Sequence, residues 1–197
     1  MKEYNNKTVL ITGHTGFKGS WLCTWLNHLG ANVVGMSDDT VGSPSNYSIS
    51  SISDFIQDYR VDICDAQKVA SLVREVQPDF VFHLAGMADI VPSIENPKAY
   101  YKSNASGTFS VLEACRKNNI KKIIYSASSS CYGIPDEYPT KEIADIRPQY
   151  PYALTKNIGE QIIMHWCNLY NLPSISLRFF NVYGPRARTS GTYGAVF

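Results

Sequence analysis

The feature that most constrains the fold of this chain is a glycine-rich turn between an apolar stretch and an amphipathic one. Gly13, Gly16 and Gly19 follow Val9-Leu10-Ile11 and open a segment, 17–29, whose apolar residues recur at helical spacing. A strand that turns into a helix leaves N–H groups uncommitted at the helix N-terminus, and these groups and the helix dipole attract an anion. The turn therefore predicts a pyrophosphate site, although a glycine turn in an ordinary loop is the alternative.

Size and composition restrict the class of protein. The chain has 197 residues, a formal net charge of +1, 44% hydrophobic and 18% charged residues, which suit one globular domain without a nucleic-acid partner. Its N-terminus lacks the apolar core of a signal peptide, and no run is long enough to cross a bilayer, so we expect no membrane partner. Five cysteines without a CxxC pair indicate reduced thiols, a cytoplasmic location and no metal site.

Strand and helix signals alternate along the chain. We expect strands at 8–12, 32–36, 61–63, 80–84, 122–126 and 174–178. Helices are expected at 17–29, 66–76, from Asn96-Pro97 toward Asn118, and from Pro151 to Leu169, with a serine-rich loop over 37–53. This alternation predicts an α/β fold with a doubly wound parallel sheet and helices on both faces. The apolar end, 194–197, has no stop signal and indicates a cut through a continuing element.

The strongest catalytic signal is the pair Tyr152 and Lys156. Residues four apart share a helix face, and an ammonium beside a phenol lowers the pKa of the phenol. Tyr152 would then act as a general base near neutral pH, whereas a surface pair on an amphipathic helix is the alternative. The hydroxyls of 126–130 follow a predicted strand, at the edge where ligands bind in open α/β sheets.

Seven motifs in order resemble those of the extended short-chain dehydrogenases/reductases, in the NAD-dependent nucleotide-sugar epimerase/dehydratase family. They are Gly13-x-x-Gly16-Phe17-x-Gly19, Asp62-Ile63, His83-Leu84-Ala85-Gly86, Asn104-x-x-Gly107-Thr108, Ser128-x-x-x-Tyr132-Gly133, Tyr152-x-x-x-Lys156 and the segment 178–185. The resemblance covers nearly the whole chain. It implies a Rossmann-like NAD-binding domain over 1–185, followed at 186–197 by the start of a small substrate-binding domain that is largely missing.

The resemblance also implies roles for single residues. Ser128, Tyr152 and Lys156 would form the catalytic triad, and Ser128, Ser130 and Asn181 would contact the nucleotide sugar. The residues implied to bind NAD are Gly13, Thr15, Gly16, Phe17, Gly19, Ser37, Asp38, Asp62, Ile63, Leu84, Ala85, Gly86, Asn104, Tyr152, Lys156 and Phe180. Asp62 could instead be a plain turn carboxylate, and Asn181 a satisfied loop amide.

Two departures from the family pattern matter. Where NAD-binding members often carry Asp at the end of the second strand, this chain has Ser37, so Asp38 would take that role by a small shift. No arginine lies near Ser37 in the sequence to bind a 2′-phosphate, which favours NAD over NADP. Many dehydratases have an acidic pair after the catalytic hydroxyl, and here Ser129 and Ser130 stand in its place.

Three functions follow from these residues. The segments 150–156 and 181–185 are similar to those of 4-epimerases such as UDP-glucose 4-epimerase, which makes a nucleotide-sugar 4-epimerase the leading interpretation. The segment 13–22 is similar to that of CDP-glucose 4,6-dehydratases, so a 4,6-dehydratase is the second. An NAD-binding module without activity is the third. The family also implies a homodimer through helices 96–118 and 151–171, whose apolar faces could instead simply cover the sheet.

Overall fold

The computed structural model describes residues 3–39, 42 and 44–187 and contains one six-stranded sheet. Every neighbouring pair of strands is parallel, and the order is β3-β2-β1-β4-β5-β6. The strands are β1 Thr8–Thr12, β2 Asn32–Ser37, β3 Gln57–Arg60, β4 Phe80–His83, β5 Lys122–Ser128 and β6 Ser174–Phe179. The order reverses direction between β1 and β4, which is the topology of a doubly wound Rossmann-like sheet. The predicted fold class is confirmed.

Helices connect the strands. They are α1 Phe17–His28, α2 Asn46–Ile49, α3 Ala66–Val76, α4 Ile90–Glu95, α5 Pro97–Tyr100, α6 Thr108–Lys117 and α7 Pro151–Tyr170. A π-helical segment, Tyr101–Gly107, joins α5 to α6. Asn96 caps α5 by accepting from the Ala99 N–H at 3.3 Å, with Pro97 in the first turn, as predicted from the Asn-Pro sequence.

The two faces of the sheet bury separate apolar clusters. One cluster lies under α3, α6 and α7 and includes Val34, Leu72, Leu112, Ile123 and Ile163. The other lies under α1 and α2 and includes Val9, Ile11, Cys23, Leu26 and Ile52. On this second face α1 covers the sheet only in part, and a groove of about 620 Å³ runs between α1 and strands β4 to β6. Leu177 of β6 lines this groove and is 39% exposed.

Two local predictions were wrong, and one helix was missed. The third strand lies at 57–60, not at 61–63, because β3 is an edge strand whose polar, half-buried residues do not show an apolar pattern. The serine-rich segment 37–53 is not a plain loop. Ser45 caps α2 by accepting from the Ser48 N–H, and a 3₁₀ turn, Ile52–Asp54, follows. Helix α4 was not predicted. The predicted cut at 194–197, and all of 186–197 except its first two residues, lie outside the described residues.

Membrane-spanning helices and metal-binding clusters are both absent from the described residues. No helix in this part of the chain is long and apolar enough to cross a membrane. No group of three or more His, Cys, Asp or Glu side chains there could hold a metal ion. All five cysteines are free thiols.

Candidate cofactor and catalytic site

The glycine turn lies at the carboxyl edge of the sheet, where β1 and β4 end side by side. Gly13 has φ +71°, and a Cβ built on it would lie 2.8 Å from the backbone N of Ala85. The loop after β4 is therefore in backbone contact with the turn, and the Ala85 N–H donates to Thr12 Oγ1 at 3.1 Å. Only glycine allows both this conformation and this approach. The structure thus brings Gly13 and Ala85 together.

The N-terminus of α1 is available to an anion. Gly16 occupies the N-cap position and provides no side-chain cap. In the described part of the chain, the N–H groups of Phe17 and Lys18 have no acceptor. A Cβ on Gly19 would clash with the Gly13 carbonyl oxygen and lie 2.7 Å from His14 Cα, so the helix begins as close to β1 as glycine permits. Free N–H groups at a glycine turn fit a pyrophosphate.

The end of β2 is tied to the glycine turn by hydroxyl groups. Thr15 Oγ1 lies 2.9 Å from Ser37 Oγ and donates to the Asp39 carbonyl at 2.7 Å. Ser37 is buried, whereas Asp38 is exposed and its carboxylate accepts only the N–H of Asp39 at 2.9 Å in this part of the structure. Ser37 therefore fixes the turn, whereas the Asp38 carboxylate is exposed to solvent.

In the structure, unlike in the sequence, an arginine does lie near Ser37. Arg60 is the partner of Ser37 in the β2–β3 register, which the misplaced third strand had concealed. Its guanidinium is committed elsewhere: it donates to Asp58 Oδ2 and to the Tyr47 hydroxyl, each at 2.9 Å. Asp58 Oδ1 in turn lies 3.0 Å from Nε2 of the buried His14. This network attaches the glycine turn to β3.

Asp62 and Ile63 follow β3. The Asp62 carboxylate accepts the Cys64 N–H at 2.8 Å through its Oδ1 atom. This is the contact that the plain-turn interpretation requires. A carboxylate has a second oxygen, so an adenine contact is also compatible with it. Ile63 is buried, and a Cβ on Gly107 would lie 2.7 Å from its Cδ1. The implied adenine roles of both residues remain predictions.

Asn104 fixes the loop that follows β4. Its Oδ1 accepts the Met87 N–H at 2.8 Å, and its Nδ2 donates to the Met87 carbonyl at 2.9 Å and to Thr155 Oγ1 at 3.1 Å. A Cβ on Gly86 would lie 2.8 Å from Asn104 Oδ1. Asn104 belongs to the π-helical segment, a geometry that often marks functional positions. It links the Leu84–Gly86 loop to α7.

His83 is buried beneath the site. Its Nδ1 lies 2.7 Å from Thr12 Oγ1, and its Nε2 lies 2.9 Å from Thr108 Oγ1. Burial, and then the nearby charge of Lys156, lowers the pKa of His83 to about 3. The imidazole is therefore neutral near pH 7 and joins β1, β4 and α6 through two hydroxyls.

Ser128, Ser130 and Tyr152 meet at the end of β5. Ser128 Oγ lies 2.7 Å from Ser130 Oγ and accepts the Ser130 N–H at 3.2 Å. The neighbouring Ser128 and Ser130 hydroxyls act to lower the pKa of the Tyr152 phenol, but burial acts more strongly and raises it. The structure thus assembles the two hydroxyls and the phenol that the sequence indicated.

Lys156 does not act on Tyr152 as the sequence predicted. Its Nζ donates to the Ser126 carbonyl at 2.8 Å, and burial, followed by the charge of Lys18, lowers the pKa of Lys156 to about 7. The predicted lowering of the Tyr152 pKa is wrong for the free protein. Burial disfavours both charged forms, the phenolate and the ammonium.

Two further candidates follow β6: Phe180, which the resemblance implies binds NAD, and Asn181, which it implies contacts the nucleotide sugar. Phe180 is 63% exposed, and Asn181 is also exposed. Phe179, which the sequence did not single out, lies instead with its ring centroid 4.8 Å from Lys18 Nζ. Sequence reasoning missed Lys18, although its helical spacing with Leu22 and Trp25 could have shown that it faces the sheet.

Comparisons with known proteins identify the family of this chain. A family model described as the NAD dependent epimerase/dehydratase family matches residues 9–197. UDP-glucose 4-epimerase of Mycolicibacterium smegmatis is 36% identical over 188 residues, which are 95% of this chain and 60% of the relative. CDP-glucose 4,6-dehydratase of Salmonella typhimurium is 32% identical over 173 residues, covering 87% of this chain and 48% of the relative.

A solved structure shows the same fold. The complex of Thermus thermophilus UDP-glucose 4-epimerase with NAD superposes with a TM-score of 0.85 at 32% identity, covering 95% of this chain and 59% of that one. The chain thus spans about half to three fifths of the length of these relatives. The family match begins in β1 and extends over nearly the whole chain, including the glycine turn, Ser128, Tyr152 and Lys156. The chain therefore belongs to the NAD-dependent epimerase/dehydratase family.

Proposed function

We propose that this chain is the cofactor-binding part of an NAD-dependent nucleotide-sugar 4-epimerase, with NAD bound by 1–185. The observation that carries the proposal is the cluster of the Tyr152 phenol with the Ser128 and Ser130 hydroxyls, one helical turn before Lys156. The similarity to a UDP-glucose 4-epimerase supports the choice of reaction. The region 186–197 would begin the substrate-binding part.

Tyr152 would take the proton from the C4 hydroxyl of the sugar. Ser128 would donate a hydrogen bond to that oxygen, and a protonated Lys156 would stabilise the Tyr152 phenolate. NAD, when bound, would supply the hydride chemistry at C4. Phe180 and Asn181 would contact the nicotinamide and the sugar-phosphate respectively, and rotation of the 4-keto sugar would expose its other face for reduction.

NAD is held in this proposal by the free N–H groups of Phe17 and Lys18 and by the exposed Asp38. Asp38 would accept from the adenosine ribose hydroxyls. Because Arg60 is paired with Asp58, it is less available to a 2′-phosphate. The test is calorimetric titration with NAD and NADP, and tighter binding of NADP would contradict this assignment.

The test of the reaction is product analysis with UDP-, GDP- and CDP-sugars. An epimerase converts the C4 configuration, whereas a 4-keto-6-deoxy product would establish the 4,6-dehydratase instead. The similarity to the Salmonella dehydratase favours the dehydratase reaction. Ser129 and Ser130 disfavour it, because hydroxyls cannot replace the acidic pair that many dehydratases carry at these positions. NAD binding without any turnover would indicate a binding module. Because this chain covers only 60% of the Mycolicibacterium relative, that result would apply to this chain alone.

Replacing Tyr152 with Phe tests the base. We expect Tyr152→Phe to reduce turnover about 10²- to 10⁴-fold while NAD affinity stays within twofold, because only the proton-transfer group is lost. Tyr150→Phe, two residues earlier and also partly buried, is the matched control and should keep its activity. Retained turnover in Tyr152→Phe would refute the role.

A homodimer and a cytoplasmic location complete the proposal. Exposed apolar side chains on α6 and α7, namely Phe109, Leu154 and Met164, support a helical interface, and the free cysteines suit a reducing compartment. Analytical ultracentrifugation should show a dimer that Phe109→Glu converts to monomer. A monomer at all concentrations would contradict the interface.

A further inference from the structure

Two lysines from opposite faces of the sheet meet at Ser126 of β5. Lys18 Nζ, from α1, donates to Ser126 Oγ at 3.3 Å, and Lys156 Nζ, from α7, donates to the Ser126 carbonyl at 2.8 Å. Lys18 also lies 4.8 Å from the centroid of the Phe179 ring. Two ammonium groups are thus held on two polar atoms of one residue. Because Lys156 is buried and Lys18 is partly buried, the repulsion between these like charges is screened less than it would be in water.

Uncharged partners surround Lys156 from the strands. His83 of β4 has its pKa lowered by burial and by Lys156 itself, so it carries no charge near pH 7. The ring of Tyr125 of β5 lies 5.1 Å from Lys156 Nζ, and burial raises the pKa of its phenol. These two neighbours therefore provide no negative charge to hold the Lys156 proton.

The remaining groups near Lys156 also leave it without a counter-ion. On α7 itself, Tyr152 is kept neutral by burial, which raises its pKa. Glu160, one turn further along α7, is paired with Arg178 at 2.8 Å. The Asp89 carboxylate acts on Tyr152 and not on Lys156. Among the described residues, Lys18 is the charged group that acts on Lys156.

We propose that Lys18 is a positioning residue for Lys156: its cation, fixed across Ser126, favours loss of the Lys156 proton in the free protein and favours its return when an anion binds beside Lys18. Lys18 is the second residue of α1, so an anion on the first-turn N–H groups lies next to it. That the anion is the pyrophosphate of NAD rests on the proposed function, whereas the contact between the two lysines does not.

The charge state of Lys156 decides whether the site is ready. Burial first, and Lys18 second, lowers the pKa of Lys156 to about 7, so this amine can lose its proton near neutral pH. A neutral amine cannot stabilise the Tyr152 phenolate. Lys18 would therefore couple anion binding at the glycine turn to the charging of Lys156.

The test is an NMR titration of lysine ¹³Cε signals in the full chain, with Lys156 assigned by its loss in Lys156→Met. We expect Lys18→Met to raise the Lys156 midpoint by about half to one pH unit, or ~3- to 10-fold in proton affinity. Lys18→Arg keeps a cation and should keep the low midpoint. Lys122→Met removes a lysine from the same strand without touching Ser126 and should cause no shift.

Each outcome decides the proposal. An unchanged Lys156 midpoint in a folded Lys18→Met variant would overturn it, as would an equal shift in Lys122→Met. Saturating NAD should raise the Lys156 midpoint in the unaltered chain and by a smaller amount in Lys18→Met. If the chain binds no NAD, the proposed function fails while the lysine contact stands on the first titration. If NAD binds and the midpoint stays, the coupling to the anion is overturned.

Discussion

The candidate residues fall into two groups that are built differently. The cofactor side is formed by Gly13, Asn104 and Lys156, and the sugar side by Asn181 and the neighbouring Phe180, where the proposed nicotinamide and sugar would meet. On the cofactor side, Gly13, Asn104 and Lys156 each contact a neighbouring loop or strand, so a larger side chain at Gly13 would collide with backbone. On the sugar side, Phe180 and Asn181 are exposed. The first group is therefore closely packed, and the second is open to solvent. Substitutions on the first side should affect both folding and NAD binding, whereas those on the second should affect binding alone.

The largest effect is expected for Gly19→Ala. Its Cβ would overlap the Gly13 carbonyl, and both groups are backbone, so α1 or the turn must move. We expect a loss of about 3 kcal/mol in the free energy of unfolding and at least a tenfold loss of NAD affinity. Urea unfolding and calorimetry measure the two quantities.

Gly16→Ala is the matched control for Gly19→Ala. A Cβ there would lie 3.3 Å from the Gly13 carbonyl, a tight but adjustable contact. It should cost less than about 1 kcal/mol of stability and still weaken NAD binding, because it fills the space that a phosphate would use. Equal stability losses in the two variants would contradict the packing assigned to Gly19.

The next effect is expected for Asn104→Ala. The substitution leaves the N–H and carbonyl of Met87 without their partner and frees the loop after β4. We expect a loss of about 2 kcal/mol of stability and a several-fold weaker binding of NAD. Asn118→Ala removes an amide bonded to the Ala114 carbonyl at the far end of α6 and should leave NAD affinity unchanged. A variant of Asn104 that loses stability but binds NAD normally would show that the amide supports only the fold.

A smaller effect per pH unit is expected from His83. Its pKa in the folded protein is lowered to about 3, below the ordinary value of about 6.5 in the unfolded chain. Between these values the unfolded chain binds a proton that the folded chain does not, so stability falls as pH falls, by about 1.4 kcal/mol per unit. The unfolding free energy of His83→Gln should lack this part of the slope. Parallel curves for the two proteins between pH 6 and 4 would contradict the neutral, buried imidazole.

The sequence predicted the cofactor side better than its surroundings. The glycine turn, the apolar strands and the Tyr152–Lys156 spacing have strong local patterns, and the sheet they predict is the one observed. Strand β3 has no such pattern because it is a polar edge, and its misplacement hid the pairing of Ser37 with Arg60. The direction of the Tyr152 pKa shift also depends on burial, which spacing alone does not report.

Side-chain direction was the other quantity that the sequence did not provide. Lys18 occupies an unspecified position of the glycine motif. Its ammonium reaches Ser126 only because the rotation of α1 about its own axis turns Lys18 toward β5. Asn104 was expected beside the cofactor, but its three hydrogen bonds depend on the π-helical segment that no sequence signal indicated. Long-range geometry of this kind arises from packing between elements.

The smallest effect is expected for Phe180→Ala, and it tests the sugar side directly. Because the ring is 63% exposed, its loss should change the unfolding free energy by less than about 0.5 kcal/mol. If Phe180 flanks the nicotinamide, NAD affinity should still fall about threefold, which corresponds to the free energy of a single aromatic contact. Ile143→Ala, which shortens another exposed apolar side chain on the loop before α7, should change neither quantity. Unaltered NAD affinity in Phe180→Ala would remove this residue from the cofactor site, and a loss of stability would show that the sugar side is more tightly packed than its exposure indicates.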